Sequence, residues 1–220
     1  MDKEDVGREI DADIVNEVGN ILSNNGANAF AKMVKDSINI NTQVQFISTE
    51  NFNMEWIFTK DFSRIFDDVT HNYAEGYFLK TMEGVEGLSV LFFNSEHIKK
   101  LIEHVAQGMG LREGTEVDVQ QKEEILKEFI SICLNAYLSA LSNLIETRIS
   151  ATTPIPATDI LGALYDFREH LKEANEEKAL MIRTNIMTTE TGITGKLIML
   201  LEPTSLKKII SVLENKAGSN

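Results

Sequence analysis

Hydrophobic and polar positions divide the chain into segments of two periodicities. Apolar residues at helical spacing predict helices over about 9–36, 95–107, 119–147 and 203–215. Alternating or continuous apolar runs predict strands over about 42–49, 73–81, 87–93, 148–154, 178–187 and 193–201. Between these, 52–70 reads as irregular and carries Trp56 and Phe62, whereas its counterpart at 157–173 is more helical. Gly84 and Gly87 flank one hairpin and Gly192 and Gly195 another, as tight turns require. Strands joined by hairpins pair antiparallel, and helices connected in this way lie on one face of the sheet. The expected fold class is α+β, an antiparallel sheet with two long helices on one face.

The pattern is written twice. Residues 94–105 read Asn-Ser-Glu-His-Ile-Lys-Lys-Leu-Ile-Glu-His-Val, and 202–213 read Glu-Pro-Thr-Ser-Leu-Lys-Lys-Ile-Ile-Ser-Val-Leu. Each is an amphipathic helix with a Lys-Lys pair at the same place, each follows an apolar strand, and they stand 108 residues apart. The long helices correspond at an offset of 111, which lays Glu17 on Glu128, Ala29 on Ala140, Phe30 on Leu141 and Val34 on Ile145. The expectation is one domain over 1–220 made of two homologous halves, about 9–107 and 119–215. The hinge between them, 108–118, begins with three glycines in seven residues (Gly108, Gly110, Gly114).

Both long helices carry a polar stripe. Asp13, Glu17, Asn20, Asn24 and Asn28 recur at steps of three and four, and so do Glu124, Glu128, Ser131, Asn135 and Ser139, so each set shares one helix face. The rest of the second helix is strongly apolar, from Ile125 and Leu126 to Leu138 and Leu141, which leaves the stripe as the face it can show to water. A solvated helix face is the ordinary role of such a stripe. Its composition argues for more: Asn16, Asn20, Asn24 and Asn25 are poor helix formers, where an indifferent face would use Lys, Glu, Arg or Gln.

Composition narrows the chemistry. An apolar share of 43% is that of a globular chain. A net charge of −13, from 21 Lys and Arg against 34 Asp and Glu, repels phosphate backbones and anionic membranes. The basic pairs Lys99-Lys100 and Lys207-Lys208 stand alone, so no nucleic-acid or membrane partner is expected. Residues 1–7 do not read as a secretory leader and the apolar runs are short, so the expected location is the cytoplasm. Cys133 is the one cysteine, which excludes an internal disulfide, and its apolar neighbours make it a core residue rather than a nucleophile. His97 and His104 share a helix without a third ligand, and no metal site is expected. No phosphate loop or nucleophile elbow occurs. Met181, Met187 and Met199 read as core positions in strands.

The segment Asp13-Ile-Val-Asn-Glu-Val-Gly-Asn20 resembles the signature of the CheC/CheX/FliY family of bacterial chemotaxis, CheC above all: an acidic residue or Ser, three residues, Glu, two residues, Asn. The second copy, beginning at Glu124, is similar in its Glu128 and its Ala136-Tyr-Leu-Ser-Ala-Leu141 tail. Pro154 stands 23 residues after Ser131, where the family pattern has a proline, while the equivalent place in the first half is Gln43. The resemblance covers nearly the whole chain. It implies a pseudo-two-fold CheC-like domain that hydrolyses the aspartyl-phosphate of the response regulator CheY. It implies Glu17 as docking acid and Asn20 as the amide orienting the attacking water, with Glu128 and Ser131 at the second site. Ser131 departs from the family's Asn, so one competent site and one degenerate site are expected. Asp13, Asn24, Glu124 and Asn135 would be flanking partner contacts. The resemblance further implies no cofactor of the chain's own, the Mg²⁺ being carried by the receiver partner, and CheD as a possible second partner. The alternatives are a non-catalytic adaptor for CheY or CheD, or a component of the flagellar switch.

Overall fold

A computed structural model describes residues 12–39, 41–53, 73–94, 98–108, 110, 112, 118–156, 160–173, 178–189 and 192–217. The first half runs α1 (Ala12–Ile38), β1 (Thr42–Asn53), β2 (Tyr73–Glu83), β3 (Gly87–Asn94) and α2 (Ile98–Gly108). The second runs α3 (Val119–Ile145), β4 (Ser150–Ala151), β5 (Ile155–Pro156), α4 (Ile160–Glu173), β6 (Lys178–Thr188), β7 (Thr194–Leu201) and α5 (Pro203–Ala217). The seven strands form one antiparallel sheet in the order β1-β6-β7-β3-β2-β4, with β5 also on β2.

Local chemistry explains the element ends. Asp118 caps α3: its Oδ1 accepts from the Gln121 N–H at 2.8 Å, and the Gln121 side chain accepts from the Asp118 N–H at 3.1 Å. Both long helices end in a left-handed residue, Asn39 (φ 55°) after α1 and Glu146 (φ 52°) after α3. The β2–β3 and β6–β7 turns each hold a glycine at positive φ, Gly84 (82°) and Gly192 (66°), a conformation costly to other residues. The strand expected over 148–154 is instead two short strands with Pro154 buried between them. Proline has no N–H for a ladder and interrupts the pairing with β2. Helix α4 begins at Ile160, within the expected 157–173. The irregular segment expected over 52–70 lies outside the described residues from 54 onward.

The sheet order is symmetric on exchange of the halves. β3 pairs with β7 at its centre, and each half's first strand region lies outermost, on the other half's hairpin. The central pair Val90↔Ile198 is 108 positions apart, and α1 meets α3 where Gly26 faces Tyr137, 111 positions apart.

Side-chain alternation along the strands makes two apolar layers. Leu91, Phe93, Leu180, Ile182, Leu197, Met199 and Leu201 face the helices and pack with Leu126, Phe129, Ile130, Cys133, Leu134 and Tyr137 of α3. Val18 and Val34 of α1, Leu101 and Val105 of α2, and Leu206 and Ile209 of α5 close this core. Leu88, Val90, Phe92, Met181, Ile198 and Leu200 point the other way and are also buried, on the side where Leu164, Phe167 and Leu171 of α4 lie. Met187 corrects the core reading. It is 43% exposed, paired with the exposed Gln43 on edge strand β1, where the apolar layer has run out.

Helix α3 is long and apolar enough to span a bilayer by length and composition alone. Here its apolar side chains form the centre of the core, and Glu124, Glu128, Asn135 and Ser139 of the polar stripe are exposed.

Candidate functional site

Two glycines set how α1 sits. A Cβ on Gly19 would overlap the Thr49 side chain of β1, and one on Gly26 would run into the Tyr137 ring of α3. These are the positions where α1 comes closest to sheet and partner helix. With Val18, Gly19, Gly26 and Ala27 turned inward, the helical period turns Glu17, Asn20, Asn24 and Asn28 outward, and all four are exposed. Among the described residues no hydrogen bond or ion pair engages the Glu17 or Asn20 side chain, so carboxylate and amide both face solvent unpartnered. Asp13 lies on the same helix, and its side chain is outside what is described.

The second stripe is exposed at Glu124, Glu128, Asn135 and Ser139, and half-buried at Ser131. It is more internally bonded than the first. Asn135 Nδ2 donates to Ser131 Oγ at 3.2 Å, and Gln120 Nε2 donates to Glu124 Oε1 at 3.3 Å. Glu17 and Glu128 each stand nine positions before the α1–α3 crossing residues, about 13 Å along their helices. Cys133 lies among the core side chains, where burial pushes its thiol pKa well up.

A second cluster escaped the sequence reading. Glu86 in the β2–β3 turn, His170 near the end of α4 and Glu202 between β7 and α5 converge: His170 Nε2 lies 2.9 Å from Glu86 Oε2 and 2.8 Å from Glu202 Oε1. The three stand 84 and 32 residues apart in sequence, with no local spacing to announce them.

No family model matches the sequence. Solved structures do match. FliY from Thermotoga maritima is 15% identical and superposes with a TM-score of 0.60 over 96% of this chain and 99% of its own. The FliM of a FliM–SpeE complex from H. pylori is 10% identical, with a TM-score of 0.58 over 94% of this chain and 97% of its own. CheX from Desulfovibrio desulfuricans is 12% identical, with a TM-score of 0.50 over 82% and 99%. The chain has the CheC/CheX/FliY fold. Chemotaxis CheX and FliM share this fold, so the fold by itself does not fix what this chain does.

Proposed function

We propose that this protein is a cytoplasmic phosphatase acting on the aspartyl-phosphate of a CheY-like receiver domain, with one competent site at Glu17 and Asn20. The observation that carries the reading is the unpartnered, outward placement of that carboxylate and amide on one face of α1. It is supported by the signature resemblance around them and by the duplicated plan of the chain, read as two homologous halves.

In this mechanism the receiver brings the phosphorylated Asp together with its Mg²⁺, and this chain supplies no cofactor. Glu17 pairs with a Lys of the receiver and fixes the register of docking. Asn20 then reaches the phosphoryl group with a side chain that both donates and accepts hydrogen bonds while staying neutral, so it can hold a water in line for attack. A carboxylate at the same place would be repelled by the phosphoryl oxygens. Holding the water in line is a proximity effect, a class that can lower a barrier by several kcal/mol. Asp13 and Asn24 flank the contact.

The second stripe binds without turning over. Ser131 is shorter than Asn, lacks the amide fork and is already bonded to Asn135. Glu128 would still dock a receiver there, with Glu124 and Asn135 around it.

The test is the loss of phosphate from phosphorylated receiver, with wild type, Asn20→Ala, Ser131→Ala and the double variant. Acceleration that falls to the spontaneous rate in Asn20→Ala and persists in Ser131→Ala supports the one-site phosphatase. Binding of the phosphorylated receiver without acceleration overturns it in favour of an adaptor for CheY or CheD. A flagellar-switch component is the second reading, favoured by the superposition on FliM. Co-purification with switch proteins together with absent turnover would establish it.

A further inference from the structure

The Glu86–His170–Glu202 cluster poses an electrostatic problem. Backbone bonds force its two acids together: the Glu202 N–H donates to the Glu86 carbonyl at 3.1 Å, and the Glu86 N–H donates to Ser205 Oγ at 2.8 Å. Both carboxylates then point at a single imidazole nitrogen. That nitrogen carries at most one proton, and its hydrogen-bonding geometry serves Glu86. Glu202 Oε1 is left without a hydrogen bond although the residue is only 5% exposed. Its other oxygen accepts a long bond from Thr204 Oγ1 at 3.3 Å. A buried carboxylate oxygen without a donor, beside a second carboxylate, calls for a cation.

We propose that Glu86, His170 and Glu202 bind a divalent first-row transition-metal ion, with Zn²⁺ as the representative species. The donor set is two carboxylate oxygens and one imidazole nitrogen, a combination suited to such ions rather than to Ca²⁺ or Mg²⁺, which take oxygen ligands. The spacing fits. Donors about 2.1 Å from one ion stand about 3 Å apart at cis-octahedral positions and slightly further at tetrahedral ones, against the 2.8 and 2.9 Å observed. The access fits as well. The Glu86 and His170 side chains are 48% and 51% exposed on a cleft of about 270 Å³ that Asp166 and Thr81 also line, leaving room for water on the open side of the ion. Asp166 lies one helical turn before His170.

The site joins the two halves, Glu86 coming from the first and His170 and Glu202 from the second, and has no counterpart on their exchange. At the 108-residue offset, Glu202 falls on Asn94 and Glu86 on Thr194, neither of which supplies a carboxylate. Its ligands lie on the β2–β3 turn, on α4 and at the β7–α5 junction, so a bound ion would tie α4 to the sheet. The site is independent of the proposed phosphatase residues on α1.

The full-length chain, stripped with a chelator and dialysed, is titrated with ZnCl2 and MnCl2, with MgCl2 as control, by calorimetry and by thermal unfolding. The expected result is one Zn²⁺ per chain and a Tm that rises with Zn²⁺ concentration. Glu86→Gln, His170→Gln and Glu202→Gln should each weaken binding by at least about tenfold, since losing even a supporting partner of a metal ligand costs about that much. His104→Gln should bind as wild type does. Because Glu202→Gln alters a buried residue, Co²⁺ is also added to wild type, where a visible band displaced by Zn²⁺ reports nitrogen and oxygen ligation without any substitution. Absence of Zn²⁺ uptake into the millimolar range, or equal uptake and Tm rise in His170→Gln and Glu86→Gln, would overturn the proposal.

Discussion

Asn20 and Cys133 show how differently two helix residues are constrained. Asn20 is exposed and has no partner among the described residues, so the fold does not depend on its amide. Asn20→Ala should leave stability within about 0.5 kcal/mol of wild type, as surface changes do, while removing phosphatase turnover. Asn20→Asp should also weaken binding of the phosphorylated receiver, because it sets a charge against the phosphoryl oxygens. Urea unfolding and receiver dephosphorylation, measured on the same samples, separate the two effects. Cys133 is fully buried, and desolvation holds its thiol protonated well above the usual pH range. It should resist alkylation in the native protein at neutral pH and react once the chain is unfolded in urea. Mass spectrometry of labelled protein decides; rapid native labelling would contradict the packing described.

At the scale of elements, the approach of α1 to its neighbours carries the site. Gly26 lets α1 close on the Tyr137 ring, and Gly19 lets it close on Thr49. Gly26→Val should cost about 1–3 kcal/mol by overpacking, more than any gain in helix propensity returns. It should also weaken receiver docking by displacing Glu17 and Asn20 together. Asp118→Ala removes the α3 cap and should cost about 1 kcal/mol without altering turnover, because the cap is on a different helix from Glu17 and Asn20. Denaturant titration checks both. The helices were legible because their apolar stripes have one period over 27 residues. The strand over 148–154 was misread because its apolar content says nothing of the missing N–H at Pro154, which breaks it in two.

At the scale of the whole molecule, the halves are not independent. The sheet is held through β1 with β6 and β3 with β7, both joining one half to the other, and α1 packs on α3. A chain of residues 112–220 alone would expose the α3 face that α1 covers and lose β1, β3 and the whole of β2 as neighbours. It should not fold, and the intact protein should unfold in a single transition. A folded, monomeric second half by circular dichroism and sedimentation would refute this. Ser131→Asn, which restores the missing amide of the second stripe, should raise turnover without changing stability.

The sequence by itself determined the long helices, the hairpin strands, the apolar face of α3 and the polar stripes. These are properties of local period, and side-chain direction follows period within one element. Tertiary structure decided what depends on distant residues meeting. It set which strands pair across the halves, and it showed the second stripe already bonded through Asn135 to Ser131, while Glu17 and Asn20 have no partner among the described residues. It alone brought Glu86, His170 and Glu202 to one point, because the β2–β3 turn, α4 and the β7–α5 junction converge only when the sheet has formed.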